Sequence, residues 1–279
     1  MNGPAGGTVE LRSGVRMPRL GLGVFRAGSG AGTRDAVLAA LDAGYRHVDT
    51  AAVYGNEVEV GEAIRAFCGE TGVRREEVFV TTKLWNDDHG YDQALAAYDR
   101  SERALGIGPV GLFLIHWPVP EKRLDSWRAL SRLRTEGRCR AIGVSNFTAR
   151  HLEELANVAE TVPDVTQVEI HPFLAQRELV AACRERGIQT VAYSPLAKAR
   201  FFGDAVLGRV AAKLGATPAQ VMLSWCLTNG HVVLPKSSSP ARIAENLRTL
   251  TLTLDAESVA ALDGCDRGAR TAWDPTVVP

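Results

Sequence analysis

The chain has 279 residues, 46% of them hydrophobic, and its 32 basic side chains balance 32 acidic ones. That length leaves room for one large α/β domain or two small ones, and a formal charge of zero excludes the electrostatic footprint of a nucleic-acid or anionic-membrane binder. No apolar run approaches the roughly 20 residues of a membrane span, and five scattered cysteines (Cys68, Cys139, Cys183, Cys226, Cys265), with no C-x-x-C, argue against a disulfide framework or a thiolate zinc site and for core thiols in a reducing cytoplasm.

In chain order, Met1–Gly7 is small and polar and reads as no secretory leader. Val9–Arg12 and Val15–Met17 flank Ser13 and Gly14 as a small hairpin. Leu20–Gly23 is a short strand, and Thr33–Ala43 a helix with Thr33 as N-cap and Gly44 past its end. Strand and helix then alternate: strand Arg46–Val48, helix Val58–Phe67 ending near Gly69, strand Val78–Thr82, helix Tyr91–Leu105, strand Val110–Ile115, helix Leu124–Thr135. The second half repeats the theme with strand Ala141–Val144, helix Ala149–Ala159 capped by Thr148, strand Val165–Ile170, helix Arg177–Arg186 and strand Thr190–Tyr193. Helices Ala205–Leu214 and Pro218–Asn229 follow, the latter with Thr217 as N-cap and Pro218 at its first position. Strand Val232–Leu234, helices Pro240–Leu247 and Ala256–Asp263, and a tail from Gly264 complete the chain.

Eight short apolar strands, each followed by at least one helix, imply a parallel sheet. A doubly wound sheet and a closed barrel both satisfy that pattern, and the count of eight favours the barrel. The expectation is therefore a single (β/α)8 TIM barrel over residues 1–279, with an N-terminal hairpin and a C-terminal helix and tail. In such a barrel the chemistry sits at the C-terminal strand ends, which here carry Gly23, Asp49, Lys83, His116, Ser145–Asn146, Gln167 and Glu169, Tyr193 and Lys236. The steps from Asp49 to Lys83, His116 and Ser145 are 34, 33 and 29 residues, about one βα unit each, and Tyr54 shares the loop after Asp49.

A tyrosine is a poor acid at its ordinary pKa of about 10. A neighbouring ammonium from Lys83, held by Asp49, is expected to lower it towards neutrality, while His116 donates a hydrogen bond to an oxygen gathering negative charge. The set fits proton delivery to a carbonyl oxygen as a hydride reaches its carbon.

The stretches GLGVF at 21–25, GYRHVDTAAVYGNE at 44–57, TTKLW at 81–85, LIHWP at 114–118, GVSNF at 143–147, AYSPL at 192–196 and LPKS at 234–237 resemble the aldo-keto reductase superfamily, in order and over nearly the whole chain. The wording around Gly23–Arg26 is similar to the bacterial branch that includes 2,5-diketo-D-gluconate reductases. The resemblance implies NADPH-dependent reduction of aldehydes and ketones, a catalytic tetrad of Asp49, Tyr54, Lys83 and His116, and no metal. It implies a nicotinamide carboxamide at Ser145, Asn146 and Gln167, a ring stacked on Tyr193, and further cofactor contacts from Gly23, Val24, Asp49, Ser194 and Leu196. It assigns Lys236, Ser237 and Arg242 to the 2′-phosphate and Glu245 and Asn246 to the adenine; two cations near a phosphate favour NADPH over NADH. The sequence departs from the family at Thr166, where an Asn commonly precedes the Gln. A Rossmann fingerprint is lacking, because Thr33 stands where a G-x-G-x-x-G starting at Gly28 needs glycine.

Phe25, Trp85 and Trp117, with Tyr54 and His116, are expected to wall a carbonyl pocket, and Trp273 in the tail to fold towards it. Trp127 and Trp225 fall inside helices and read as core; His171 reads as part of a structural turn, and His47 as sharing Asp49's side of its strand. A metal-dependent hydrolase using Asp49, His116, His171 and His47 leaves Tyr54, Lys83 and the 236–246 cluster unexplained, and a cofactor-binding scaffold with little turnover leaves the tetrad unexplained. A cytoplasmic monomer acting on a small-molecule carbonyl substrate, without nucleic acid or membrane, is the expectation.

Overall fold

The computed structural model describes residues 7–28 and 30–279; the reading of residues 1–6 as carrying no leader lies outside them. The hairpin forms as β1 (Thr8–Glu10) and β2 (Arg16–Pro18), antiparallel, with Thr8 opposite Pro18 and Glu10 opposite Arg16. Then come β3 (Leu22–Gly23), α1 (Ala31–Ala43), β4 (His47–Asp49), α2 (Glu57–Thr71), β5 (Phe79–Leu84), α3 (Tyr91–Leu105), β6 (Val110–Ile115) and α4 (Arg123–Thr135). The second half holds β7 (Cys139–Ser145), α5 (Ala149–Val158), β8 (Val165–Glu169), α6 (Arg177–Glu185), β9 (Gln189–Tyr193), α7 (Ala205–Leu214), α8 (Pro218–Thr228), β10 (Val232–Leu234), α9 (Pro240–Arg248) and α10 (Ala256–Asp263).

Strands β3 to β10 pair in chain order, all parallel, into one eight-stranded sheet. Single parallel bridges, Leu20 to Val233 and Gly23 to Lys236, join its two edges and close the barrel. Period two then sorts the side chains. Phe79, Leu112, Leu114, Ala141, Val165, Val191, Val232 and Leu234 fill the barrel interior, and Leu11 and Met17 from the hairpin region plug its floor. Continuing the same inward alternation upward from those apolar residues reaches Lys83, His116, Ser145, Gln167 and Tyr193. The strands therefore read as apolar at the floor and polar at the mouth. The other strand face packs against the helices in a second core, which includes Trp127 and Trp225 at 2% exposure each.

Local readings needed correction in three places. Helix α1 starts at Ala31 with Gly30 as its N-cap, and Thr33 lies buried in the first turn, its hydroxyl donating to the Gly28 carbonyl at 2.5 Å. Helix α2 runs through Gly69 to Thr71, because Gly72, at φ 73°, is the glycine that takes the left-handed terminating conformation. Asp49 and Lys83 lie inside β4 and β5 rather than just after them, which fixes both on the pleat.

Candidate active site

Lys83 is fully buried, and its ammonium donates to three oxygens: Asp49 Oδ1 at 2.6 Å, the Thr50 carbonyl at 2.9 Å and Tyr54 Oη at 3.4 Å. All three donors of the charge are thus used. Asp49 Oδ2 accepts from Gln167 Nε2 at 2.8 Å. Tyr54 ends a single 3-10 turn, Ala52–Tyr54, closed by Gly55 at φ 65°. That loop is tied down by Thr50, whose hydroxyl donates to Asn56 Oδ1 at 2.7 Å, and by Asn56 Nδ2, which donates to the Val24 carbonyl at 3.1 Å. The sequence reading gave Thr50 and Asn56 no role; only their place inside the 44–57 stretch marked them.

His116 follows β6, its backbone N–H donating to the Leu84 carbonyl at 3.1 Å. Its ring lies edge-on to Tyr54 at 5.8 Å and to Trp85 at 5.3 Å between centroids. Its Nδ1 is buried without a partner among the described residues. The four tetrad residues therefore meet at one point of the mouth.

Their electrostatics differ in one respect from expectation. Burial pulls Lys83 below the usual lysine range, opposed by Asp49, and burial together with the Lys83 charge drives His116 well below the usual histidine range, leaving a neutral ring. Tyr54, expected to be lowered by Lys83, is instead raised well above 10, by burial first and then by the Asp49 charge. The ammonium sits nearer Asp49 than Tyr54, 2.6 Å against 3.4 Å, so its charge is already answered.

Ser145 ends β7 and donates to the Gln167 carbonyl at 2.9 Å. Asn146 follows with a left-handed backbone, φ 61°. Its Nδ2 donates to the His116 carbonyl at 3.0 Å, and its Oδ1 accepts from the Tyr193 hydroxyl at 2.8 Å. The carboxamide-binding candidates are thus wired to the tetrad. Thr166, the departure from the family pattern, is buried with its hydroxyl unpaired among the described residues. Ser194 and Leu196 lie past β9, where Ser194 is also left-handed at φ 45°.

At the other end, Gly23 bridges Lys236, and Val24 donates its N–H to the Asp49 carbonyl at 3.1 Å. Lys236 and, in α9, Arg242 are exposed cations, and Ser237, next to Lys236 in the chain, is buried. Glu245 accepts from the Thr217 hydroxyl at 2.6 Å, and Asn246 is buried one turn beyond Arg242.

At the rim, Phe25 stacks at a tilt on Tyr54 at 4.9 Å, and Trp273 meets Phe25 edge-on at 6.2 Å. Trp117 is half-buried beside His116 in sequence. His47 lies lower in the barrel, its Nε2 bonded to the Thr81 hydroxyl at 3.0 Å; Gly21 is glycine because a Cβ there would stand 2.7 Å from the His47 ring. His171 pairs with Leu174 across a tight turn and lies 3.2 Å from Glu169 Oε1. Among the described residues no three His, Cys, Asp or Glu side chains converge on one point.

The sequence model described as "Aldo/keto reductase family" matches residues 19–267. The chain is 46% identical over 270 residues to the 9,11-endoperoxide prostaglandin H2 reductase of Trypanosoma cruzi, across 96% of this chain and 94% of that protein. It is 45% identical over 268 residues to the glyoxal reductase of Bacillus subtilis, across 96% of each. Among solved structures, an aldo-keto reductase of Bombyx mori in complex with NADP superposes with a TM-score of 0.89 at 34% identity, over 98% of this chain and 95% of that one.

Proposed function

The chain belongs to the aldo/keto reductase family and is an NADP(H)-dependent oxidoreductase, and on that premise we propose that it reduces aldehydes and ketones to alcohols with Tyr54 as the proton donor and no metal. The observation that carries the reading is the convergence of Lys83 on Asp49, Thr50 and Tyr54, with His116 alongside.

The residues present fit the cofactor. The His116 Nδ1, buried and without a partner among the described residues, and the polar cluster of Ser145, Asn146, Gln167 and Tyr193 lie at the mouth, with exposed Lys236 and buried Ser237 just past the last strand and exposed Arg242 on the helix that follows. Gly23, Val24, Ser194 and Leu196 would add further contacts to the dinucleotide, and Glu245 and Asn246 would hold its adenine. NADPH, when bound, supplies the hydride. The protein supplies the proton and the positioning.

Raised above its ordinary range, Tyr54 keeps its proton at physiological pH. An alkoxide forming beside its hydroxyl is a far stronger base than a phenolate, so the transfer is downhill. The phenolate left behind stands 3.4 Å from the Lys83 ammonium. Lys83 thus favours the phenolate as proton transfer proceeds, although burial and the Asp49 charge leave Tyr54 raised overall. Neutral His116 cannot deliver a proton easily but can donate a hydrogen bond to the carbonyl oxygen. Phe25, Trp85 and Trp117 wall the substrate.

We further infer that residues 1–279 act as one domain and as a monomer, in a reducing cytoplasm that keeps the five free cysteines as thiols. The experiment is to follow NADPH consumption with a panel of aldehydes and ketones, with and without EDTA. Carbonyl-dependent oxidation that survives the chelator is expected; no turnover with any carbonyl compound overturns the reading.

A further inference from the structure

Glu169 ends β8 at 1% exposure, two residues above Gln167, and takes no part in the tetrad. A buried carboxylate is costly unless its oxygens are satisfied. Here the donors come from a segment about a hundred residues later. Oε1 accepts the Thr271 N–H at 2.8 Å and the Thr271 hydroxyl, and Oε2 accepts the Ala272 N–H at 3.0 Å. His171 Nε2 lies 3.2 Å from Oε1, and Arg270 Nη1 lies 3.9 Å from Oε2. Burial alone would raise this carboxyl, but the hydrogen bonds from His171, Thr271 and Ala272 outweigh it and hold it below the usual range.

The same segment is gripped from a second side. Lys198 Nζ donates to the Thr271 carbonyl at 2.5 Å, from a run in which Ala197, Lys198 and Ala199 are all left-handed, at φ 47°, 53° and 61°. Arg270 and Asp274 pair within the segment at 3.5 Å. Two residues past Thr271, Trp273 is 63% exposed, and its only aromatic neighbour among the described residues is Phe25, which covers Tyr54. An exposed indole has no packing of its own to fix it; its place at the rim is set by the backbone before it.

We propose that Glu169 is a positioning residue for substrate choice: by clamping Thr271 and Ala272 it holds Trp273 against Phe25, extending the aromatic wall of the carbonyl site so that aromatic aldehydes are favoured over two- and three-carbon ones. The proposal rests on the reading of Tyr54 and its rim as the carbonyl site. A two- or three-carbon aldehyde offers no ring to the Phe25–Trp273 edge, whereas an aromatic aldehyde does, and aromatic contacts are geometry-sensitive.

The test uses the full chain labelled with 5-fluorotryptophan, with the Trp273 resonance assigned by Trp273→Phe, alongside kinetics on benzaldehyde and acetaldehyde at saturating NADPH. In Glu169→Gln the Trp273 fluorine signal is expected to move towards that of free fluorotryptophan. KM for benzaldehyde should rise about three- to tenfold, the span of an aromatic pair, with kcat and the acetaldehyde KM within about twofold. Trp273→Ala should reproduce the kinetics, and the double variant should lose nothing more. Thr271→Val, which removes one donor and keeps the backbone, should move signal and KM in the same direction should Glu169→Gln fail to fold. An unmoved signal in a folded variant, or equal losses for both aldehydes, would overturn the proposal. The fluorine signal needs no turnover. A signal that moves in a protein whose wild type reduces neither aldehyde overturns the site reading, while a signal that stays in an active enzyme overturns the clamp alone.

Discussion

Gln167 donates its side-chain amide to the Asp49 oxygen that Lys83 leaves free, at 2.8 Å. A residue that the resemblance places at the nicotinamide carboxamide is thereby in direct contact with the charge that holds the ammonium. Gln167→Leu should therefore affect more than cofactor binding. A hydrogen bond to a charged group contributes about 1.5–3 kcal/mol, so turnover at saturating NADPH should fall roughly tenfold or more, together with weaker NADPH binding. Unchanged kcat under those conditions would mean the link is idle in catalysis.

Tyr54→Phe should keep NADPH affinity and cut aldehyde turnover at least about 10²-fold, the lower end for a positioned acid. Lys83→Met should also cut turnover, because the phenolate loses its stabilising charge while Asp49 remains beside it. A Tyr54→Phe enzyme within tenfold of wild type, on a substrate whose chemical step limits the rate, would identify another donor.

Arg242→Ala should weaken NADPH binding by about 1.5–3 kcal/mol, the range for a charged hydrogen bond, and leave NADH nearly unaltered. Fluorescence titration with both cofactors decides it; equal losses would remove Arg242 from the 2′-phosphate.

Acid should destabilise the fold through buried histidines. Burial lowers His47, His89 and His231 from 6.5 to about 4, partly offset by Asp49 at His47 and reinforced by Lys122 at His89 and Arg184 at His231. Below pH 6.5 the unfolded chain binds protons that the folded chain refuses, so stability falls as pH falls from 6.5 towards 4. At about 1.4 kcal/mol per unit, each histidine removes roughly 3 kcal/mol by pH 4. Urea midpoints at pH 7, 6 and 5 should decline in order; a flat series would contradict the burial of these rings.

The strand-borne candidates were legible because one rule produced them: inward-facing residues recur every second position along a strand and turn polar towards the mouth, so Asp49, Lys83, His116, Gln167 and Tyr193 stand out against apolar runs, whereas Tyr54 was marked by its place in the loop after Asp49. The end of α2 was misread because two glycines compete, and only backbone conformation selects Gly72 over Gly69. The direction of Tyr54's shift was misread for a related reason: residue types give signs of charge, but 2.6 Å against 3.4 Å decides which neighbour the ammonium serves. Glu169 was visible as a strand-end carboxylate, yet its partners Thr271 and Ala272 carry no periodic signal and lie 102 and 103 residues away.

The barrel's seam has a consequence for its breathing. Strand β3 has two residues, and three backbone hydrogen bonds join the ends of the sheet there, Gly21 to Val233 and Val233 to Arg19 at 2.9 Å and Gly23 to Pro235 at 3.1 Å. The β5–β6 pair, by contrast, shares four consecutive register partners inside the sheet. Solvent deuterium should therefore reach the amides of Gly21, Gly23 and Val233 well before those of Thr82 or Phe113. Because Gly23 and Lys236 face each other across that join, a dinucleotide gripping both would stitch the cylinder shut, and the zipper of slowed exchange would run along this one line rather than around the whole wall.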